Sequence, residues 1–297
     1  MTTSIGSSSR RRFSAVPASL APSDPRAIEE AFERLEFRPS RRWGQSFLAD
    51  PFVADAEAAL AVDGARGPVV EIGGGLGVLT EALLRRGAPD LTVIERDPRL
   101  VRHLRATFGD RVRVVEADAL EHRFPEGSTV VGNLPFSSAT AMLLGLWIRR
   151  VPRIVAMVQR EVAERVAAAP GSKRYGRLTI LAALYGSTEL FRIVPSGSFR
   201  PVPEVEGRIL VFRARTGELP VPSVPRFEGL VRGLFSSRRK QLGNLLPRLA
   251  RSAREAERWA TEAGWPPTWS TLRPEDLAPD AYFALARVAE PVRSRRT

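Results

Sequence analysis

From Pro68 onward the chain alternates between two spacings of apolar residues. Short runs rich in Val, Ile and Leu, at Pro68–Ile72, Leu91–Glu95, Arg111–Glu116, Ser128–Gly132 and Arg153–Val158, predict strands. Between them Leu76–Arg86, Pro98–Phe108 and Ser137–Ile148 repeat their apolar positions at helical spacing. Strands alternating with helices at this interval predict an α/β fold with a parallel sheet covered on both faces. Thr188–Val194 and Arg208–Ala214 follow with less helix between them and read as a late antiparallel pair at the sheet edge. The Pro-rich stretch Leu219–Pro225 reads as a linker, and Phe227–Ala260 beyond it returns to helical spacing through Val231, Leu234, Phe235, Leu242, Leu245, Leu246 and Leu249. The expected division is a flexible Ser/Arg-rich tail over 1–40, a ligand-binding α/β domain over 41–218 and a helical domain over 219–297. Within the tail, residues 26–37 have the pattern of a short amphipathic helix.

The end of the first strand carries the sharpest local signal, Glu71-Ile72-Gly73-Gly74-Gly75-Leu76-Gly77. Glycine there lets the backbone turn tightly and approach a ligand at the carboxyl end of a sheet. A dinucleotide fingerprint would need Gly or Ala where Val78 stands, and a phosphate-binding P-loop would need a nearby Gly-Lys pair that is missing. The remaining pattern suits a nucleoside without a pyrophosphate, such as S-adenosyl-L-methionine. The second strand ends at Glu95, whose carboxylate can accept from both ribose hydroxyls. The third ends near Asp118-Ala119, where Asp118 can accept from an adenine amino group. Either carboxylate alone would serve equally well as a helix cap; their succession at three strand ends makes the ligand reading the sharper one.

The fourth strand runs into Asn133-Leu134-Pro135-Phe136. An exocyclic adenine amine is a weak nucleophile, because its lone pair is delocalised into the ring. A site that alkylates it needs acceptors for the amine hydrogens as the nitrogen becomes tetrahedral. The Asn133 side chain and the Leu134 carbonyl can provide two. Pro135 holds Leu134 in an extended conformation, and Phe136 can stack on a base.

Composition narrows the partner. The chain has 297 residues, of which 43% are hydrophobic and 26% charged, enough to form a sizeable core. It lacks Cys and has two His, which excludes disulfides and thiolate chemistry and argues against a histidine-rich metal site. No stretch of about 18 uncharged apolar residues exists to span a membrane. Lys and Arg total 45 against 33 acids, a net charge of +12, which favours a polyanionic partner. Between Arg226 and Arg258 basic residues far outnumber the acids Glu228, Glu255 and Glu257. Arg238, Arg239 and Lys240 form the densest group; Lys173 and Arg174 are further candidates for nucleic-acid contact. Trp265 and Trp269 are expected in the core, and His103 and His122 on the surface. Arg10–Arg12 in an acid-poor, Ser-rich tail fit a basic arm or a transit peptide.

Together these motifs resemble the rRNA adenine N6-methyltransferase family, and within it the dimethyladenosine transferases of the small ribosomal subunit. The resemblance runs from about Arg41 to Val288. It takes in Gly44-Gln45-Ser46-Phe47-Leu48-Ala49-Asp50, Glu71–Gly77, Glu95, Asp118, Asn133–Phe136, Gln159–Arg165, Pro170–Leu178, Phe199–Val205 and Ser236–Leu242, the last similar to a basic helix of the family. It implies a Rossmann-like methyltransferase fold with a seven-stranded, mainly parallel sheet and a small C-terminal helical domain. It implies S-adenosyl-L-methionine as cofactor, with Ser46 and Leu48 near its methionine end, and Phe199 as the partner of Phe136 in holding a flipped base. The implied reaction is dimethylation of two adjacent adenosines near the 3′ end of small-subunit rRNA. The implied enzyme is a cytoplasmic monomer that needs no metal or membrane and acts on rRNA or an immature small subunit. The Arg-rich tail leaves a mitochondrial location open. Ser46 stands where the family usually has Asn, and Phe136 where the small-subunit branch commonly has Tyr. The alternatives are the same chemistry on large-subunit rRNA, conferring macrolide resistance, and a non-catalytic assembly or mitochondrial transcription factor on the same fold.

Overall fold

The computed structural model describes residues 21, 24–40 and 45–289. The element order is α1 (Pro25–Arg34), β1 (Phe47–Leu48), α2 (Pro51–Asp63), β2 (Val69–Ile72), α3 (Val78–Arg85), β3 (Thr92–Glu95), α4 (Pro98–Phe108), β4 (Arg113–Glu116), β5 (Thr129–Asn133) and α5 (Ala139–Ile148). There follow β6 (Arg153–Gln159), α6 (Arg160–Val166), α7 (Arg177–Tyr185), β7 (Gly186–Val194), β8 (Phe199–Arg200), β9 (Gly207–Ala214), α8 (Val224–Leu234), α9 (Leu242–Ala250), α10 (Ala253–Glu262) and α11 (Pro279–Val288).

Seven strands form one sheet in the order β4-β3-β2-β5-β6-β9-β7. The first five are parallel, and β9 runs antiparallel to both β6 and β7. This is the expected mainly parallel sheet with an antiparallel pair at one edge. Strand order reverses around β2, which lies between β3 and β5, and such a switch point opens a crevice at the carboxyl ends of the strands.

The central strands β2, β3, β5, β6 and β9 are buried on both faces, and successive residues divide between two layers. Val131, Val155, Met157, Ile209 and Val211 join the layer of α2, α3 and α4. Val130, Ile154, Ala156, Leu210 and Phe212 join the layer of α5 and α7. In the second layer the Trp147 and Phe212 rings lie 5.4 Å apart.

Three boundaries differ from the sequence reading. Pro25–Arg34 is a helix started by Asp24, whose carboxylate accepts from the amides of Arg26 and Ala27, and Ile28, Ala31 and Phe37 are buried. The second half of the expected tail is therefore part of the core, while residues 1–20 lie outside those described. The expected linker is partly packed: Val221 is buried and α8 begins at Val224. The residues of α8 to α11, Trp265 and Trp269 included, share one core with α7 and that face of the sheet. Among the described residues no helix is long and apolar enough to cross a membrane, and no cluster of His, Cys, Asp or Glu is placed to hold a metal ion.

Candidate functional site

The turn between β2 and α3 forms the floor of a cavity of about 540 Å³ at the switch point. Gly73 and Gly75 have φ of +74° and +56°, which only glycine adopts without strain. A Cβ on Gly73 would meet open space, so this backbone is bare toward whatever occupies the turn. Glu71 is buried beneath and accepts a 2.6 Å hydrogen bond from the Thr80 hydroxyl. Burial pushes its carboxyl up to about 8, despite that bond, so it is neutral at pH 7. A second buried carboxyl, Glu57 on α2, is held well above the usual carboxylate range by burial and by neighbouring Glu71; nothing in its local sequence marks it, because it sits in an otherwise apolar helix face.

Glu95, at the end of β3, closes the side of the turn. One carboxylate oxygen accepts from the Gly75 amide at 3.1 Å, and the other accepts from the amides of Arg96 and Asp97 at 2.7 and 2.9 Å. It thus braces the glycine turn as well as lining the cavity. Asp118 lies beyond β4; one of its oxygens accepts from the Leu120 amide at 2.9 Å and the other faces the Arg96 guanidinium at 3.4 Å. Ala119 beside it is buried and lines the cavity.

At the end of β5 the Leu134 amide donates to the Met157 carbonyl of β6 at 3.0 Å, tying the motif to the neighbouring strand. The Asn133 side-chain oxygen is buried and has no hydrogen-bond partner. An orphaned acceptor in a cavity wall is costly unless a ligand satisfies it. The Phe136 ring meets Phe199 edge-on, with centroids 6.2 Å apart at 66°. Phe199 is almost fully buried, so Phe136, half-buried, offers the more open ring. Phe199 reaches the site through a small antiparallel pair of β1 with β8, in which Leu48 faces Phe199 and Phe47 faces Arg200.

The same cavity is lined by Ser46, Leu48, Glu71, Gly73, Gly75, Glu95, Asp118, Ala119, Asn133, Leu134, Pro135, Phe136 and Phe199. Gly44 lies outside the described residues. The Ser46 hydroxyl donates to the Pro201 carbonyl at 2.7 Å, so here it fastens β1 beside β8. Sequence reasoning passed over Phe47 and Met157, which also line the cavity; a lone apolar residue in a strand carries no signal of what it faces.

The basic candidates divide. Arg238, Arg239 and Lys240 occupy the turn between α8 and α9, not a helix. The Arg238 guanidinium pairs with Glu275 at 3.3 Å and donates to the Ser172 carbonyl at 3.0 Å. That contact draws the 170–175 loop beside the basic turn. Arg174 pairs with Glu164 at 2.7 Å. Lys173, Arg239 and Lys240 are exposed. His103, expected on the surface, is partly buried against the Leu76 carbonyl, and burial lowers its pKa.

Comparison with known proteins matches this arrangement. Residues 36–261 fit the family model described as ribosomal RNA adenine dimethylase. A relative named ribosomal RNA small subunit methyltransferase A, from Anaeromyxobacter dehalogenans, is 41% identical over 249 residues, covering 77% of this chain and 86% of the relative. One of the same name from Acidobacterium capsulatum is 41% identical over 280 residues, covering 90% and 96%. Two solved structures have the same fold at 24% identity and a TM-score of 0.65. A dimethyladenosine transferase from Plasmodium falciparum covers 80% of this chain and 95% of its own, and the 23S rRNA methyltransferase ErmE covers 82% and 99%.

Proposed function

The chain belongs to the ribosomal RNA adenine dimethylase family, and from that premise we propose that it methylates N6 of two adjacent adenosines near the 3′ end of small-subunit rRNA, using S-adenosyl-L-methionine. The observation that carries this reading is the buried, unpartnered Asn133 oxygen at the mouth of β5, set beside an aromatic pair. The small-subunit substrate rests on the relatives at 41% identity, which are named for it.

The residues present fit the cofactor. The volume lies within the range of about 300–1,000 Å³ usual for small-ligand sites. The bare Gly73 backbone leaves room for a nucleoside to approach, and Glu95 and Asp118 keep unused lone pairs for hydroxyl and amine donors. Ser46 and Leu48 line the β1 side, where the methionine end would lie. When bound, the cofactor supplies a methyl group already activated by a sulfonium charge.

The protein's part is to orient the amine. Asn133 Oδ1 accepts one amine hydrogen and the Leu134 carbonyl another, so the nitrogen lone pair turns toward the methyl donor. Both acceptors are fixed before reaction, by the β5–β6 ladder and by the hydrogen bond that the Leu134 N–H donates to the Met157 carbonyl, so little reorganisation accompanies the tetrahedral change. Phe136 stacks on the base and Phe199 backs that ring. The second methylation needs only that the monomethyl amine return with its one hydrogen toward Asn133. Arg239, Lys240 and Lys173 supply phosphate contacts from one surface; Arg238 and Arg174 order that surface through their carboxylate partners. Incubating parent and Asn133→Ala proteins with methyl-labelled cofactor and immature small subunits tests the reading. Label is expected in the rRNA with the parent and nearly absent with the variant; equal labelling would refute the role given to Asn133.

A further inference from the structure

An aromatic cluster from α1 and the segment after it stands behind the glycine turn. Phe32, Phe37 and Phe47 contact one another in all three pairs, with centroids 5.8, 5.1 and 5.5 Å apart. Phe47 is the member that faces the cavity, and a Cβ on Gly75 would come within 3.0 Å of its ring. The ring therefore lies directly on the turn whose backbone contacts a bound nucleoside in the reading above.

Phe47 cannot hold that position by its own strand, because β1 has two residues and one partner strand. The support comes from α1 and its C-terminal flank. Phe37 is buried, and the Arg99 guanidinium of α4 lies over its outer face at 4.6 Å. Phe32 meets Phe47 edge-on at 68°. At the other end Glu29 of α1 faces Arg200 of β8 at 3.8 Å. The Gln45 side chain accepts from the Ser40 amide at 2.8 Å, and the Gln45 amide donates to the Ser40 carbonyl at 3.2 Å, fastening this segment to the start of β1. The helix thus spans from α4 on the cofactor side to β8 on the base side.

We propose that α1 is a strap that retains the cofactor, with Phe32 and Phe37 as positioning residues that hold Phe47 down on the Gly73–Gly75 turn. Neither residue lines the cavity, so their effect on the ligand passes through Phe47. Opening the strap lifts Phe47 and frees the nucleoside. The inference rests on the cofactor assignment made above.

The test is stopped-flow release of S-adenosyl-L-methionine from full-length parent, Phe37→Ala, Phe32→Ala and Phe37→Leu proteins, with steady-state methylation in parallel. Phe37→Ala loses its ring contacts with both Phe32 and Phe47, and release should speed up roughly tenfold. Phe32→Ala, at a half-buried position, should accelerate release severalfold with less risk to folding. Phe37→Leu, which keeps an apolar side chain there, should fall between Phe37→Ala and the parent. KM for the cofactor should rise with release, while kcat at saturating cofactor stays within about twofold of the parent. A generally loosened fold would instead lower kcat and the melting temperature together. Unchanged release in cooperatively folded Phe32→Ala and Phe37→Ala proteins would overturn the strap alone. A parent that fails to bind the cofactor would overturn both the strap and the cofactor assignment.

Discussion

Replacing Glu95 by Gln separates its two duties. The carboxylate accepts three backbone amides, from Gly75, Arg96 and Asp97. A Gln side chain has one acceptor oxygen and one amide group. If its oxygen faces Arg96 and Asp97, its NH₂ is turned against the Gly75 amide, donor to donor. One charge-assisted hydrogen bond to the turn is lost, and the group offered to a ribose hydroxyl becomes a donor where an acceptor stood. A hydrogen bond to a charged group contributes about 1.5–3 kcal/mol, so cofactor affinity should fall roughly 10- to 150-fold. The Ala variant would leave all three amides without this partner and loosen the turn itself, so it confounds binding with structure. Calorimetric titration of S-adenosyl-L-methionine into parent and Glu95→Gln proteins, with thermal melts of both, measures the effect. Affinity within about twofold of the parent, in a variant that melts cooperatively, would refute the reasoning and remove Glu95 from the ligand's contacts.

Asn133→Ala should lower the single-turnover methylation rate by about 10²-fold or more with cofactor affinity little changed, since its acceptor acts mainly as the amine becomes tetrahedral; an unchanged rate on bound RNA would contradict this. Glu71 is held neutral in the fold with a pKa of about 8, against 4.5 for an ordinary glutamate. The unfolded chain gives up that proton first as pH rises, so Glu71 withdraws stability progressively between about pH 4.5 and about pH 8, by up to roughly 1.4 kcal/mol per pH unit. Glu71→Gln should therefore flatten the fall of melting temperature over that window, and parallel curves for parent and variant would count against a buried neutral carboxyl. Replacing Arg239 and Lys240 by Ala should reduce the slope of log RNA affinity against log salt by up to about 2 units, with cofactor binding unchanged. Arg238→Ala should act differently, lowering thermal stability by releasing Glu275 and the Ser172 carbonyl. Equal salt slopes for parent and the double variant would place the RNA surface elsewhere.

The sheet and its ligand edge were legible because the signal was local. Val and Ile runs fixed each strand, and Glu71, Glu95, Asp118 and Asn133 mark where the strands end. What escaped depended on partners distant in the chain. Residues 26–37 show the pattern of an amphipathic helix, but only the packing of Phe32 and Phe37 on Phe47 shows that this segment is core. Ser46 reads as a cofactor donor until Pro201, 155 residues away, accepts its hydroxyl. Arg238 reads as a phosphate contact until Glu275, 37 residues on, takes its guanidinium. The continuous helical spacing over 227–260 hid two breaks, one at the basic turn and one where Ser252 caps α10 by accepting from the Glu255 amide. Charge and periodicity identify the kind of residue a surface needs, but the ion pairs that withdraw a particular arginine arise only on folding.

The central claim is that this cavity presents one kind of atom, the N6 of adjacent adenosines in small-subunit rRNA, to a methyl donor. Its most direct measurement is mass-spectrometric mapping of rRNA from immature small subunits lacking the modification, after incubation with the full-length protein and isotopically labelled S-adenosyl-L-methionine. Two neighbouring adenosines near the 3′ end should each gain two labelled methyl groups on N6, with large-subunit rRNA unlabelled in the same mixture. Label on large-subunit rRNA, at another atom of the base, or on no RNA at all would contradict the account.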